Sequence, residues 1–315
     1  MNIENTVIQK LKQINGNDLY IKREDLIPFS FGGNKARKAQ LFFQEIDKQK
    51  CDCVVTYGSS SSNHCRVVAN MCAQRLIPCF IVSPEEASEP TFNSVMMDLF
   101  GAEIVVVPVN DVHDTIEKTL SGLKDEGKHP YFIPGGGHGN IGTQAYVNCY
   151  NEIRTWELEN GVYFDYIFHA SGTGTTQAGL ICGQMLNGDQ RTIVGISIAR
   201  RLPRGRDVVI DSVKEYLTSN AYQYSNQSVE EVTHFVDSYI GNGYGDSNSD
   251  ECIKQIMMEY GIPFDSTYTG KAFMGMQDYI NRVKIAGSNI LFIHTGGTPL
   301  FFDKLIEIRG GGITH

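Results

Sequence analysis

The sequence predicts an α/β fold in which parallel sheets are covered by helices. Short apolar runs alternate with longer helical patterns along the chain, and glycine and serine clusters directly follow several of those runs. No internal repeat, proline-rich linker or low-complexity tract interrupts the alternation. In parallel sheets of this kind, ligands bind beyond the carboxyl ends of the strands, where the clusters lie.

Taken in order, Leu19–Lys22 is the first strand candidate. Cys53–Tyr57 follows and leads into a helical pattern over Asn63–Arg75. Cys79–Val82 precedes the helix Thr91–Phe100, and Ile104–Val107 precedes Val112–Lys124. Tyr131–Ile133 leads to the helix Ile141–Leu158, and Tyr166–Ala170 leads to Gln177–Leu186. Ile193–Ile198, His234–Val236 and Ile290–His294 complete the strands. The polar stretches Asn220–Glu230 and Gly241–Ser249 read as loops.

The chain has 315 residues, enough for about two domains and for a core that needs no staples. Lys and Arg total 27 against 36 Asp and Glu, a formal charge of -9. Binding to nucleic acid or anionic membranes needs a basic surface, so neither partner is expected. None of the eight cysteines forms a CxxC pair, so neither a zinc site nor any other metal is expected. The N-terminal MNIENTVIQKLKQ has no apolar signal core, and no apolar run approaches the roughly 18 residues of a membrane helix. A cytoplasmic protein with reduced thiols is the expectation.

Four constellations carry chemistry. In the first, Gly32 and Gly33 can form a tight turn, and Asn34 can cap a helix beginning near Lys35. A lysine fixed there and desolvated has a lowered pKa and can form a Schiff base, although most lysines belong to solvated basic faces. In the second, Gly58 and the serines 59–62 precede Asn63 and His64 between a strand and a helix. Hydroxyls and backbone N–H groups at a helix start suit a carboxylate, while an ordinary capped loop fits equally well. His64 reads either as a base or, more simply, as a hydrogen-bond donor.

The third constellation, Ser171-Gly172-Thr173-Gly174-Thr175-Thr176-Gln177-Ala178-Gly179, follows an apolar strand and reads as a phosphate cup. It is neither Walker A nor the dinucleotide fingerprint, because Gln177 stands where the third glycine is required. The fourth combines Asp265-Ser266-Thr267-Tyr268-Thr269-Gly270-Lys271 with His294-Thr295-Gly296-Gly297-Thr298-Pro299, with Tyr239 and Tyr244 in the loop before. Tyr268 alone reads as a packed core aromatic.

In this order, KREDLIPFSFGGNKARK, GSSSSNHCR, SGTGTTQAG, DSTYTGKAFMGM and LFIHTGG resemble the D-cysteine desulfhydrase and 1-aminocyclopropane-1-carboxylate deaminase family. That family belongs to the tryptophan-synthase-β-like pyridoxal-phosphate enzymes. The resemblance runs from position 22 to 297, nearly the whole chain. It implies fold type II: two open, twisted, mostly parallel sheets flanked by helices, with a small domain (49–150) inserted in a larger one (1–48 and 151–315). It implies pyridoxal 5'-phosphate as cofactor, a small amino acid as substrate and a homodimer.

By the same resemblance Lys35 is the Schiff-base lysine. Asn63 touches the ring hydroxyl, and Ser62, Asn63 and His64 bind the substrate carboxylate or face the reacting carbon. Gly172, Thr173, Gly174, Thr175 and Thr176 cradle the phosphate. Thr269 and Thr295 lie near the ring nitrogen, and Tyr244 and Tyr268 line the substrate side as catalytic residues with Lys35 and Ser62. Ring-opening deaminases of the family carry Glu where this chain has Thr269, and desulfhydrases carry Thr.

The chain departs from the family at Ser59, Ser60 and Ser61, which replace its usual Ala/Gly-Ile-Gln, and at Asn5-Thr6-Val7-Ile8, which lacks the usual prolines. The basic run Arg200-Arg201-Leu202-Pro203-Arg204-Gly205-Arg206 reads as a solvated loop, or as a surface for an acidic substrate group or partner. The expected activity is α,β-elimination giving a keto acid and ammonia. The alternatives are β-replacement, 1-aminocyclopropane-1-carboxylate deamination, or a non-catalytic cofactor-binding protein.

Overall fold

A computed structural model describes residues 5–241 and 248–308. Among these, the strands in chain order are β1 (Ile8–Lys10), β2 (Asp18–Arg23), β3 (Cys53–Tyr57), β4 (Cys79–Pro84), β5 (Glu103–Val107), β6 (Pro130–Ile133), β7 (Tyr166–Ser171), β8 (Thr192–Ser197), β9 (His234–Val236) and β10 (Asn289–His294). The α-helices are α1 (Asn34–Gln49), α2 (Asn63–Arg75), α3 (Phe92–Leu99), α4 (Val112–Asp125), α5 (Asn140–Asn160), α6 (Thr175–Asn187), α7 (Arg204–Ser219), α8 (Asn226–Val232), α9 (Asp250–Tyr260), α10 (Thr269–Val283) and α11 (Thr298–Ile308).

Two sheets result. One runs β1-β2-β10-β7-β8-β9, parallel except for the β1–β2 pair. The other runs β5-β4-β3-β6 and is wholly parallel. The α/β architecture expected from the alternation of runs is present, and its reason is visible in β7. Ile167 enters the core beneath α5, α6 and α7, while its neighbour Phe168 enters the opposite core beneath α9 and α10. A strand buried on both faces reads as a near-continuous apolar run, here broken by the buried His169. In the smaller sheet Val54 packs with α1 and α2, and Val55 packs on the α4 side.

Several expectations need correction. The stretch Asn220–Glu230 is not wholly loop: Ser225 caps α8 with its side chain accepting from Ser228 N. The basic run is not one solvated loop either, because α7 begins at Arg204 and Arg200 is half-buried. Asn34 is the first helical residue of α1, and Gly33 is its N-cap at φ +91°. A side chain at Gly33 would place Cβ 2.8 Å from the Thr295 carbonyl, so the helix start and the turn after β10 require glycine there. Residues 242–247, including Tyr244 and most of the Gly241–Ser249 stretch, lie outside the described residues.

Candidate active site

The loops after β3, β6, β7 and β10 converge on two adjoining cavities. The smaller is lined by Asn34, Lys35, Asn63, the segment 170–174, Thr176, Tyr268, Thr295 and Gly296. The larger, about 600 Å³, shares Lys35, Asn63, Gly172, Thr173 and Tyr268 and adds the serine loop 59–62, His64 and Arg200.

Lys35 reaches this junction because both ends of its turn are pinned. Gly33 N donates to Glu24 O (2.7 Å) and Asn34 N to Thr295 O (3.0 Å). The Asn34 side chain does not cap its own helix; it donates to Thr176 Oγ1 at 3.1 Å and so joins α1 to α6. Two residues on, Arg37 is bound by Glu24 (2.5 and 2.7 Å) and Glu152 (2.9 Å). Lys22 closes this buried network, donating to Glu152 and to Thr6 Oγ1. Thr6 therefore has a packing role in the segment that lacks prolines. Cys149 joins Glu24 and Glu152 in a potential ligand cluster, but Lys22 and Arg37 already supply the opposing charge.

The Lys35 amine donates to Gly136 O at 3.1 Å. Burial holds its pKa down at about 8; Cys65 opposes this, and the like charge of Arg200 adds to it. An amine with that pKa is neutral in an appreciable fraction near pH 7.

The serine loop is a helix entry. Ser62 is the N-cap of α2, accepting from Cys65 N at 3.1 Å, which leaves its hydroxyl proton to donate elsewhere. Asn63 Oδ1 accepts from Asn93 Nδ2 (3.0 Å) and Arg66 Nη2 (3.3 Å). His64 Nε2 lies 2.9 Å from Thr56 Oγ1, whose own proton goes to Ile133 O at 2.8 Å. Nε2 is therefore the donor, and Nδ1 keeps its lone pair. Burial, then Lys35 and Lys38, push this histidine well below its usual pKa, so it is neutral.

The cup after β7 forms a true helix entry, with Gly174 at φ +91° capping α6. The first N–H groups of an α-helix have no partner inside it. Thr176 faces the smaller cavity, while Thr175 Oγ1 is buried with no hydrogen-bond partner among the described residues. Thr295 and Tyr268 also line that cavity. Thr269 does not: its hydroxyl donates to Asp265 Oδ1 (2.8 Å) and accepts from Asp265 N (2.9 Å), binding the start of α10 to the preceding turn. Of the two threonines expected there, Thr295 is the one that lines the cavity.

Residues 1–296 match the family described as pyridoxal-phosphate dependent enzyme. The chain belongs to the pyridoxal-phosphate-dependent enzymes. It is 31% identical to the D-cysteine desulfhydrase of Yersinia enterocolitica over 310 residues, covering 94% of this chain and 92% of that protein. It is 32% identical to a putative 1-aminocyclopropane-1-carboxylate deaminase of Pyrococcus abyssi, covering 96% and 93%. Among solved structures, a homologue of 1-aminocyclopropane-1-carboxylate deaminase superposes with a TM-score of 0.86 at 31% identity, over 97% of this chain and 94% of that one. Cysteine synthase of Entamoeba histolytica shares the fold, with a TM-score of 0.69 at 17% identity over 98% and 90% of the two chains. The two sheets are thus those of a fold type II enzyme.

The residues of this pyridoxal-phosphate enzyme fit its cofactor on their own chemistry. The orphaned Thr175 hydroxyl and the unpaired N–H groups opening α6 suit a phosphate dianion. Lys35 offers an amine near neutrality, and Asn63 and Thr295 offer polar groups on the same wall.

Some site residues escaped the sequence. Gly136 accepts from Lys35, and Gly135-Gly136-Gly137 after β6 carries the same strand-to-glycine signal as the three clusters that were singled out. Asn93 comes from α3, thirty residues beyond Asn63, and nothing local marks it.

Proposed function

We propose that this enzyme carries out α,β-elimination on a small amino acid bearing a leaving group at Cβ, as the name D-cysteine desulfhydrase describes for its Yersinia relative. A β-thiol amino acid and water then give a 2-keto acid, ammonia and hydrogen sulfide. One observation carries the reading: the buried Lys35 amine, held at about 8, stands at the junction of the two cavities.

Lys35 would hold the cofactor, with Asn63 at its ring hydroxyl, Thr295 near its ring nitrogen and the segment 172–176 at its phosphate. When bound, pyridoxal phosphate supplies an electron sink for negative charge at the α-carbon. The chain's part is orientation and proton movement. The amino end of α2 and the Ser62 hydroxyl bind the substrate carboxylate, with Asn63 and His64 beside them. Freed when the substrate's amine displaces it, Lys35 Nζ would take the α-proton, a buried amine of this pKa being able to accept and return a proton near neutral pH. Tyr268, and Tyr244 with it, close the substrate side. Elimination is favoured over ring opening because, among the described residues, no carboxylate lines the smaller cavity to hold a ring nitrogen protonated.

We further propose the division 1–48 with 151–315 against 49–150, with α1 and α5 as the elements that cross it, since α1 packs in the smaller sheet's core and α5 in the larger's. A homodimer in the cytoplasm completes the reading. Eight free cysteines, seven of them buried, suit a reducing compartment. Exposed Val95 and Leu99, one turn apart on α3, offer apolar surface for self-association, which light scattering would test. Among the described residues no helix is long and apolar enough to cross a membrane.

The deciding experiment is a panel of D- and L-amino acids with Cβ leaving groups, plus 1-aminocyclopropane-1-carboxylate, scored for keto acid and ammonia. Release from the acyclic substrates alone supports elimination; equal turnover of the cyclic one overturns it, and a requirement for a second nucleophile points to replacement.

A further inference from the structure

Besides Lys35, the larger cavity is lined by two cations that the elimination chemistry does not use, Lys304 and Arg200. Arg200 leaves the end of β8 half-buried and lines the cavity, but does not line the smaller one where the cup lies. Among the described residues its one side-chain hydrogen bond is from Nη1 to the Thr173 carbonyl, at 3.3 Å. Among the described residues no carboxylate pairs with it, unlike Arg23, Arg37, Arg75, Arg154 and Arg191; Arg66, Arg201, Arg204, Arg206 and Arg282 also lack one, but none of these lines the cavity.

The acidic residues of the cavity do not answer Arg200. Asp303 Oδ1 accepts from Phe92 N at the start of α3, and Glu89 is exposed. The walls nearer Lys35 are neutral: serine hydroxyls at 59–62, Tyr268 and an uncharged His64. A guanidinium offers five donors in a planar fork and cannot shed its proton. Holding one beside Lys35 lowers that amine further, an unfavourable arrangement unless an anion comes between them. The substrate's α-carboxylate is already provided for at the start of α2. The Arg200 fork is a separate point.

We propose that Arg200 makes this cavity selective for amino acids carrying a second anionic group, a side-chain carboxylate or phosphate. The inference rests on the lyase reading and adds to it the class of substrate. At about 600 Å³ the cavity has room for a side chain longer than that of cysteine. The serine hydroxyls in place of the family's usual Ala/Gly-Ile-Gln suit a polar occupant.

The test is calorimetric binding to the cofactor-loaded protein. Aspartate and glutamate, as both enantiomers, are compared with asparagine and glutamine; none has a Cβ leaving group, so binding is read without turnover. O-phosphoserine is compared with serine in parallel, scored also for turnover, to separate phosphate from carboxylate. The acids should bind at least about tenfold tighter than their amides. Arg200→Gln should bring the ratio to near one, and Arg200→Lys should restore part of it. Preference for O-phosphoserine alone would identify the anion as phosphate. Equal affinity for acids and amides in the wild type, or a ratio unmoved by Arg200→Gln, overturns the proposal while leaving the lyase reading intact. Loss of cofactor in Arg200→Gln, by equilibrium dialysis, also overturns it, since the arginine would then serve the phosphate. Failure of every amino acid to bind would instead strike the lyase reading itself.

Discussion

Asn93 sets the direction of the Asn63 side chain. Asn93 Nδ2 donates to Asn63 Oδ1 at 3.0 Å, and Arg66 Nη2 donates to the same oxygen at 3.3 Å. A guanidinium can only donate, so the atom it faces must be the amide oxygen. The Asn63 Nδ2 group is thereby left as the donor toward the cavity that Asn63 lines. Arg66 is itself fully buried and donates to Ser30, which anchors it behind the site.

The first prediction follows from that relationship. Asn93→Ala removes the donor to Asn63 and also the bond to Ser61 O at 2.8 Å. With a net value of about 1 kcal/mol per hydrogen bond, cofactor affinity should fall by roughly five- to tenfold while the protein stays folded. Equilibrium dialysis of pyridoxal phosphate measures it. An unchanged dissociation constant would separate Asn93 from the site.

The second concerns Thr175, whose hydroxyl is buried and has no partner among the described residues. An unmade buried hydrogen bond costs about 1–3 kcal/mol, so Thr175→Val should leave the cofactor-free protein as stable as the wild type or more so. The same change should weaken cofactor binding by about tenfold or more. Thr176→Val should behave differently, because its hydroxyl accepts from Asn34, and it should lower stability in the cofactor-free protein too. Thermal melts with and without cofactor distinguish the two. Parallel losses for both variants would sink the assignment.

What was legible in the sequence and what was not divide along a physical line. Strands buried on both faces, such as β7, read clearly because their runs are mostly apolar, in β7 interrupted only by His169 before the closing Ser171. The glycine turn at Gly32-Gly33 was legible because close backbone approach excludes other residues, and Gly174 because its φ of +91° favours glycine. Helix α7 was missed because its start lies within a run of arginines that local charge marks as solvent-facing. Arg200 shares that run yet turns inward, a choice made by the crossing from β8 to α7 and not by its neighbours. The bond of Thr269 to Asp265 was illegible for a similar reason: only the folded turn commits its hydroxyl there.

The third prediction is that Lys35 titrates well apart from the surface lysines. Its pKa of about 8 means that, between pH 8 and 10.5, the folded protein binds fewer protons than the unfolded chain. Stability of the cofactor-free protein should therefore rise with pH across that window, the burden of the buried charge being fully present below it. Competitive amine labelling with mass-spectrometric mapping reads the residue directly. A Lys35 labelling midpoint near that of Lys48, which is exposed, would refute the claim.

The last prediction contrasts two buried carboxyls. Burial alone would push Glu24 up, but Arg37 and Lys22 hold it at about 2. Its folded pKa lies below the ordinary 4.5, so its contribution is present above pH 4.5 and is lost as pH falls toward 2. Asp265 is the reverse: burial raises it to about 6 despite hydrogen bonds from Thr269 and Tyr268. Folding therefore favours its protonated form, and stability is gained as pH falls from about 6 toward 3.8. Each displacement corresponds to up to about 3 kcal/mol. Glu24→Gln should destabilise at pH 7 by about 3 kcal/mol or more, since it strands the buried Arg37. The gap between wild type and Glu24→Gln should then narrow as pH falls below 4.5. For Asp265→Asn the wild type should instead gain relative to the variant as pH falls from 6 to 4, because asparagine cannot take up the proton. Urea unfolding at a series of pH values measures both differences. Slopes of the same sign for the two variants would show that Asp265 is ionised in the folded protein at neutral pH without penalty, and that its hydrogen bonds to the start of α10 outweigh its burial.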